Sequence, residues 1–402
     1  MSPVSGERIL TVNAGSSSIR IGLFAGRPGE GTPTPLARGK LGGIGTRPRL
    51  KATLADGRHL LDQDFPVEQV ADMQAAFRLV ALALASGLRG ERPALIVHRV
   101  VHGGTLFSEP LRVDRNALAQ LREFEALAPL HQPYNLAPIQ AVLDDTPELP
   151  QVACFDTAFH AGRDELSQLF ALPYALYQQG IRRYGFHGLS FEYVSLRLAE
   201  VAPEIAAGKV VIAHLGNGSS LCAIEDGRSV EVTTGFSALD GLPMGSRCGA
   251  LDPGVLLHLL GRGEDAHSLE ELLYRRSGLL GLSGVSSDML VLRASQEPRA
   301  HLAIEHYAYR IAQEVGRLAA SLGGLDALVF TAGIGEKDAE LRARVVQRLA
   351  PLFDLRLDEE ANQRNDERIS SIDSTRPLLV IATDEESMLA RHAWRLYQEG
   401  SA

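Results

Sequence analysis

Apolar and polar positions alternate most clearly near the start of the chain, in RILTVNAGSSSIRIGLF at residues 8–24. The run Ile9 to Val12 stops at Asn13-Ala14-Gly15, three serines follow, and a second alternating run extends from Ile19 to Phe24. This spacing predicts strand, tight turn, strand. Residues 26–35 are a Gly/Pro-rich loop, expected to be mobile, and residues 49–63 alternate weakly as an extension of the same sheet. Val70, Met73, Phe77, Val80 and Leu84 recur at helical spacing over residues 68–86 and stop at Gly87. Ala94 to Val101 reads as a buried strand ending in His102-Gly103-Gly104. Asp114 is placed to cap a helix from Arg115 to about Leu127, Pro129 to Pro133 interrupt it, and Asn135 to Leu143 is helical. Val152 to Phe155 is a short strand ending in Asp156.

The second half follows a related pattern. A loop at 181–190 feeds a helix reaching Val201. The strand Lys209 to Leu215 turns through Gly216-Asn217-Gly218-Ser219-Ser220 into a strand at Leu221 to Ile224. Thr234 to Pro253 is a long Gly-, Ser- and Pro-rich segment, a length that usually carries function. Helices are expected near 255–262, 268–275 and 299–322. Leu325 to Phe330 is a strand into Gly333-Ile334-Gly335-Glu336, with a helix then running to about Leu349. Leu378 to Ile381 leads into Thr383-Asp384-Glu385-Glu386 and a C-terminal helix.

These elements repeat. Strand, Gly-Ser-Ser turn, strand occurs at Val12 to Ile21 and again at Ile212 to Ala223. A strand and glycine turn follows each, at 94–104 and 327–335, and a strand ending in an acid closes each, at 151–159 and 379–387. The order implies two duplicated α/β domains with their turns facing one cleft. Their expected bounds are 1–156 plus 386–402, and 157–385.

Composition narrows the function. With 402 residues, a net charge of −9 and no long Lys/Arg run, the chain has no nucleic-acid footprint. The start lacks a charged-then-apolar leader pattern, and the stretch Leu79 to Leu88 is too short to span a bilayer, so no membrane association and a cytoplasmic location are expected. Cys154, Cys222 and Cys248 have no C-x-x-C spacing, which argues against disulfides and structural zinc. Walker-A, G-x-G-x-x-G and G-x-S-x-G patterns are missing, so phosphate handling falls to the two Gly-Ser hairpins, whose exposed N–H groups and hydroxyls suit an anion. Arg20 adds a cation at the start of its strand. Arg99 sits in an apolar run between His98 and His102, and must meet a ligand anion or a structural carboxylate. Arg247 in MGSRCG and His187 in YGFHG lie among glycines, and His214 precedes the second Gly-Ser turn. Asp156 and Glu385 end strands at equivalent repeat positions, a pairing suited to Mg²⁺. Together they are the parts needed for phosphoryl transfer.

VNAGSSS, VVHGG, FDTAFH, YGFHG, HLGNGSS, GLPMGSRCG, SGVSSDM, FTAGIGE and TDEE occur in the order found in the acetokinase family, which the chain resembles over nearly its whole length. The resemblance implies two ribonuclease-H-like domains of the actin-like ATPase fold around a nucleotide cleft that closes over its substrates. It implies transfer of the γ-phosphoryl of ATP to acetate, reversibly, with Mg²⁺ (or Mn²⁺), in a homodimer formed through the second domain. By motif, Asn13 and Glu385 would help hold the metal, Arg99 would bind the acceptor carboxylate, and Asp156 would be the catalytic carboxylate. His187 and Arg247 would stabilise the transferring group, and Val101, Leu130 and Phe186 would pack the acyl methyl. Ser16, Ser18 and Arg20, with His214, Leu215, Gly216, Asn217 and Gly218, would line the phosphates of ATP. Asp288, Met289 and Leu290, with Gly333, Ile334, Gly335, Glu336 and Lys337, would line the adenosine.

The chain departs from the family pattern at several of these places. Arg20 stands for the usual lysine, Leu189 and Phe191 for a threonine and a histidine, Leu290 for an arginine, Lys337 for an asparagine and Ala238 for a proline. Positions 20, 290 and 337 bear on the phosphoryl donor. Ala238 implies a wider acyl pocket and hence propionate as an alternative acceptor. A sugar kinase and a non-catalytic nucleotide switch of the same superfamily are the competing readings. A short-acid pocket with Arg99 in it argues against the first, and Asn13, Arg99, Asp156, His187, Arg247 and Glu385 together in one chain argue against the second.

Overall fold

The computed structural model describes residues 6–87 and 92–400. Two compact units emerge, Met1–Ala158 with Asp384–Ala402, and Phe159–Thr383. Leu88, and the side chain of Leu84, lie outside the described residues.

The first unit is built on an eight-stranded sheet. Its strands are β1 (Glu7–Ala14), β2 (Ser18–Gly26), β3 (Thr34–Gly42), β4 (Arg49–Leu54), β5 (His59–Asp64), β6 (Leu95–Val100), β7 (Leu111–Arg112) and β8 (Gln151–Phe155). They lie in the order β5-β4-β3-β2-β1-β6-β8-β7. The β1–β2 hairpin pairs Val12 with Ile21 and Asn13 with Arg20. It turns where the Gly15 amide donates to the Ser18 carbonyl at 2.8 Å. Strands β6 and β8 then add parallel to β1. All five residues of β8 are buried, as expected for a central strand covered on both faces.

The second unit carries β9 (Val210–Leu215), β10 (Ser219–Glu225), β11 (Arg228–Val232), β12 (Ala327–Thr331) and β13 (Leu378–Val380), in the order β11-β10-β9-β12-β13. Its hairpin β9–β10 is antiparallel, and β12 and β13 are parallel to β9. This is the pattern of β3-β2-β1-β6-β8 over again, so the duplication read from the motifs is a duplication of sheet topology. The helix Pro298–Leu322 lies over this sheet, with Ile304, Tyr307, Ile311, Val315 and Leu318 buried at helical spacing. It begins on proline and ends at Gly323 in the left-handed region, φ 68°.

The departures from the sequence reading have local causes. Strand β3 was not expected, because Pro35, Gly39 and Gly42 make a poor strand sequence. It forms because both of its edges are paired, to β2 and β4. Gly39 suits the place, since a Cβ there would come 3.0 Å from the Ile21 side chain. The loop before β3 is fastened where the Trp394 indole N–H donates to the Glu30 carbonyl at 2.8 Å. Asp114 does cap its helix, accepting from the Ala117 amide, but that helix ends at Arg122 and a single 3-10 turn follows at Glu125–Leu127. The next helix starts at Gln132, ahead of the expected Asn135, because Pro133 serves in its first turn. The glycine turn at 333–336 is itself a short helix, Ala332–Lys337.

Candidate active site

In the first unit the strand ends gather four of the expected residues. Asn13 comes from the end of β1, Arg99 from β6, Asp156 from just beyond β8, and Glu385 from the first turn of the helix Glu385–Glu399. Arg99 donates to both Asp156 oxygens, Nε to Oδ1 at 2.8 Å and Nη2 to Oδ2 at 2.5 Å. Its Nη1 donates to Asn13 Oδ1 at 3.0 Å, and Asn13 Nδ2 reaches Glu385 Oε2 at 3.4 Å. Asp156 is only 2% exposed, whereas Arg99 keeps 20% of its side chain open. Three of the five guanidinium N–H groups are committed to these bonds, which leaves two for an incoming anion. Burial works to lower the Arg99 pKa, but Asp156, Glu385 and Glu386 outweigh it and hold it raised. Glu386 is pushed up by burial and by the charge of Glu385 beside it, with Arg20 opposing. Negative charge is therefore crowded here, and the donors are hard oxygens. Asp384 caps the same helix through the Ser387 amide and pairs with Arg38.

The two histidines flanking Arg99 point to other work. His98 donates from Nε2 to Gln151 at 2.8 Å, and His102 accepts the Gly104 amide on Nδ1 at 2.8 Å. Burial lowers both to about 4, so both rings are neutral at pH 7. Val101 is buried and Leu130 half-buried in this unit, while Ser16 and Arg20 are exposed and Ser18 half-buried on the hairpin turn. Sequence reasoning missed Gln132 and Asn135. Asn135 accepts the Val101 amide and donates to the Ala14 carbonyl, and Gln132 bridges both backbone groups of His102. For Asn135 a signal was available, an amide in the first turn of a predicted helix, where a buried polar group needs partners; Gln132 lay in the stretch read as a helix break and carried none.

The second unit holds the remaining residues. His187 has φ 60°, in the left-handed region, at the start of the helix Gly188–Val201. Its Nδ1 bonds Ser220 Oγ at 2.8 Å, and its ring stacks on His214 with centroids 4.2 Å apart. His214 Nδ1 bonds Ser190 Oγ at 2.7 Å, and Ser190 in turn bonds Thr383 at 2.8 Å. Ser190, Ser220 and Thr383 had no assigned role in the sequence reading. The turn Gly216-Asn217-Gly218 closes with the Gly216 amide on the Gly218 carbonyl at 3.1 Å. A Cβ at Gly218 would lie 3.3 Å from His187 Nε2 and 3.9 Å from Arg247 Nη1. The missing side chain thus leaves room beside an imidazole and a guanidinium, which suits an anionic oxygen. Arg247 is aimed by donating to the Ala238 carbonyl at 3.2 Å. Leu215 and Phe186 are buried.

A cavity of about 560 Å³ lies beside this turn, lined by Asn217, Asp288 to Leu290, Gly333, Ile334 and Lys337. Leu290 and Lys337, both departures from the family pattern, share its wall. Arg293 also lines it and is held by Asp338 and Glu340, both at 2.6 Å. Gly335 is buried and passes its carbonyl to Arg342 at 2.8 Å, and Glu336 accepts the Thr383 amide at 3.1 Å. Burial pushes the Cys222 thiol up to about 12 and raises Cys248, so neither is a thiolate at pH 7. Among the described residues no three His, Cys, Asp or Glu side chains form a metal cage, and no helix is long and apolar enough to cross a membrane.

Residues 8–391 match the Acetokinase family. The acetate kinase of Nitrobacter hamburgensis is 50% identical over 397 residues, covering 98% of both chains. Among solved structures, Porphyromonas gingivalis acetate kinase aligns with a TM-score of 0.85 at 34% identity, over 98% of this chain and 100% of that one. A propionate kinase from Francisella tularensis aligns with a TM-score of 0.88 at 34% identity, over 97% and 99%.

Proposed function

The chain belongs to the acetokinase family, and from that premise we propose that it moves the γ-phosphoryl of ATP reversibly to the carboxylate of acetate, giving acetyl phosphate and ADP. Its two units are the duplicated ribonuclease-H-like halves of the actin-like ATPase fold. The observation that carries the reading is the gathering of Arg99, Asp156, Asn13 and Glu385 at one end of one sheet, from positions as far as 372 residues apart.

An acetate acceptor is already ionised at neutral pH, because such acids titrate near ~4–5. It needs no base to become a nucleophile, but it does need cations, because two anions must meet. Arg99 supplies a charge that cannot be lost and two open N–H groups for the carboxylate. Asp156 aims that guanidinium through two parallel bonds. In the second unit His187 Nε2 and Arg247 Nη1 flank the space over Gly218, where they neutralise charge on the transferring oxygens. His214 and the Gly216 to Gly218 turn support the nucleotide phosphates. The 560 Å³ cavity takes the adenosine.

The oxygen donors Asp156, Glu385 and Asn13 fit Mg²⁺, which binds proteins through one or two carboxylates and keeps water and phosphate as its other ligands. When bound, the ion supplies charge neutralisation on the phosphates. The units Met1–Ala158 with Asp384–Ala402, and Phe159–Thr383, correspond to an acceptor-binding domain and a nucleotide-binding, dimer-forming domain. Dimerisation is supported by the helix Pro253–Gly261, which buries none of its residues and leaves Val255, Leu257 and Leu260 at 41%, 70% and 46% exposed. The nucleotide substrate supports a cytoplasmic setting.

One observation favours a wider acyl range. Residue 238 is alanine and its carbonyl holds Arg247, so the position lies against the site. Trapping acyl phosphate as the hydroxamate, with ATP and acetate, tests the main reading. Absence of product would overturn it. Repeating the assay with propionate, and with GTP or pyrophosphate as donor, separates the alternatives.

A further inference from the structure

His187 adopts a backbone conformation that residues with side chains seldom take, φ 60° and ψ 26°. Such a conformation persists only where the surroundings over-determine it. The four residues before it are gripped from below by two side chains outside the site. Arg163 has no exposed side-chain surface, and its Nη2 donates to the Arg183 carbonyl at 2.6 Å and the Tyr184 carbonyl at 3.0 Å. Its Nε donates to the His160 carbonyl at 3.0 Å, and Nη1 reaches Glu231 at 3.3 Å. His160 Nε2 lies 3.0 Å from the Phe186 carbonyl. A carbonyl can only accept, so Nε2 carries the proton and Nδ1 accepts the Ser229 hydroxyl at 2.8 Å. The ring is neutral, lowered to about 3 by burial first and by Arg163 second. The Phe186 amide donates to Thr234 Oγ1 at 3.0 Å. Gly185 completes the fit, since a Cβ there would come 2.8 Å from the His160 ring.

We infer that His160 and Arg163 are positioning residues that clamp the loop 183–186 and thereby hold His187 Nε2 over Gly218. The inference rests on the phosphotransferase reading above. A surface loop does not need a fully buried guanidinium. Here three carbonyls out of four successive residues are captured by buried donors, immediately ahead of the residue whose ring flanks Gly218. His160 packs edge-on against Phe191, centroids 5.7 Å apart, so the clamp is itself locked to the helix that His187 begins. Phe191 replaces the family's usual histidine, which gives this chain an apolar wall for the clamp.

The test uses full-length wild type, His160→Phe and His160→Gln. The phenylalanine keeps the ring and deletes the donor, whereas glutamine restores an N–H near the Nε2 position. The expected result is a fall in kcat on the order of 10- to 100-fold in His160→Phe, with both KM values nearly unchanged and recovery in His160→Gln, because small misplacements of a reacting group cost that much. Binding of ADP with aluminium fluoride should weaken in parallel while binding of ADP alone holds. Thr234→Val, which deletes only the acceptor for the Phe186 amide, should show a milder version and covers the case in which His160→Phe fails to fold. Lower melting temperatures with unchanged kcat in these variants would overturn the clamp. Wild type unable to form acyl phosphate would instead overturn the reading on which it rests.

Discussion

Replacing Asp156 by asparagine removes a charge and almost no volume. The carboxylate is 2% exposed and receives Nε and Nη2 of Arg99 at 2.8 and 2.5 Å. Asparagine can accept one of these bonds but turns an NH₂ group toward the other donor. Removing one partner of a buried ion pair costs about 3–5 kcal/mol, because the remaining charge stays desolvated. Glu385 and Glu386 also attract Arg99, which places this case near the lower end, at about 3 kcal/mol. For a unit of this size each kcal/mol lowers the melting temperature by about 2–4 °C, so the first unit should melt about 6–12 °C earlier by calorimetry. The same change frees Arg99 from its aim, so kcat for hydroxamate-trapped acyl phosphate should fall on the order of 100-fold at temperatures well below melting. Pairing it with Arg99→Gln closes a double-mutant cycle. Additivity within about 0.5 kcal/mol would mean that the two side chains do not act together. That result, or an Asp156→Asn enzyme with unchanged rate, metal dependence and melting, would refute the reasoning.

Three further outcomes follow from other parts of the molecule. Buried His98 is lowered to about 4, while in the unfolded chain it titrates near ~6.5. The unfolded state therefore takes up its proton first, so this stability is full above ~6.5 and is lost as pH falls toward 4, amounting to about 2 kcal/mol by pH 5. His98→Gln, which keeps a donor for Gln151, should shrink the difference in unfolding free energy between pH 7 and pH 5 by that amount, and an unchanged difference would count against it. Ala238→Pro, which restores the family's residue, should shift kcat/KM toward acetate over propionate by on the order of 10-fold, as one methylene typically does; no shift would remove position 238 from the acyl pocket. Leu257→Asp places a charge on the exposed apolar helix Pro253–Gly261 and should yield monomers by light scattering, whereas a persistent dimer would move the interface elsewhere.

Much of the site was legible because its residues sit in local motifs. Asn13, Asp156, His187 and Arg247 each lie at the end of a strand or among glycines, and alternation located those strands; Glu385, read as ending a strand, instead opens the C-terminal helix. Arg99 was legible as an anomaly, a cation in an apolar run. Its partner was not. The sequence offered a ligand or a structural carboxylate, and the fold shows Asp156 in contact. Strand β3 was illegible for the opposite reason: its glycines and proline give no signal, and only pairing on both edges makes it a strand.

The sequence by itself determined the family and the repeated order of strand motifs, and it named the candidate side chains, because those are written in short motifs and periodicities. The tertiary structure decided how they are held. Arg99 and Asp156 are 57 positions apart and meet because β6 and β8 are parallel neighbours with Arg99 opposite Cys154, two residues before the acid. His187 stacks on His214, and Arg163 grips the loop ahead of His187, through pairings between segments that are not neighbours in sequence. Such contacts depend on strand register and on which helix covers which face. Residue types nearby in sequence carry no record of either.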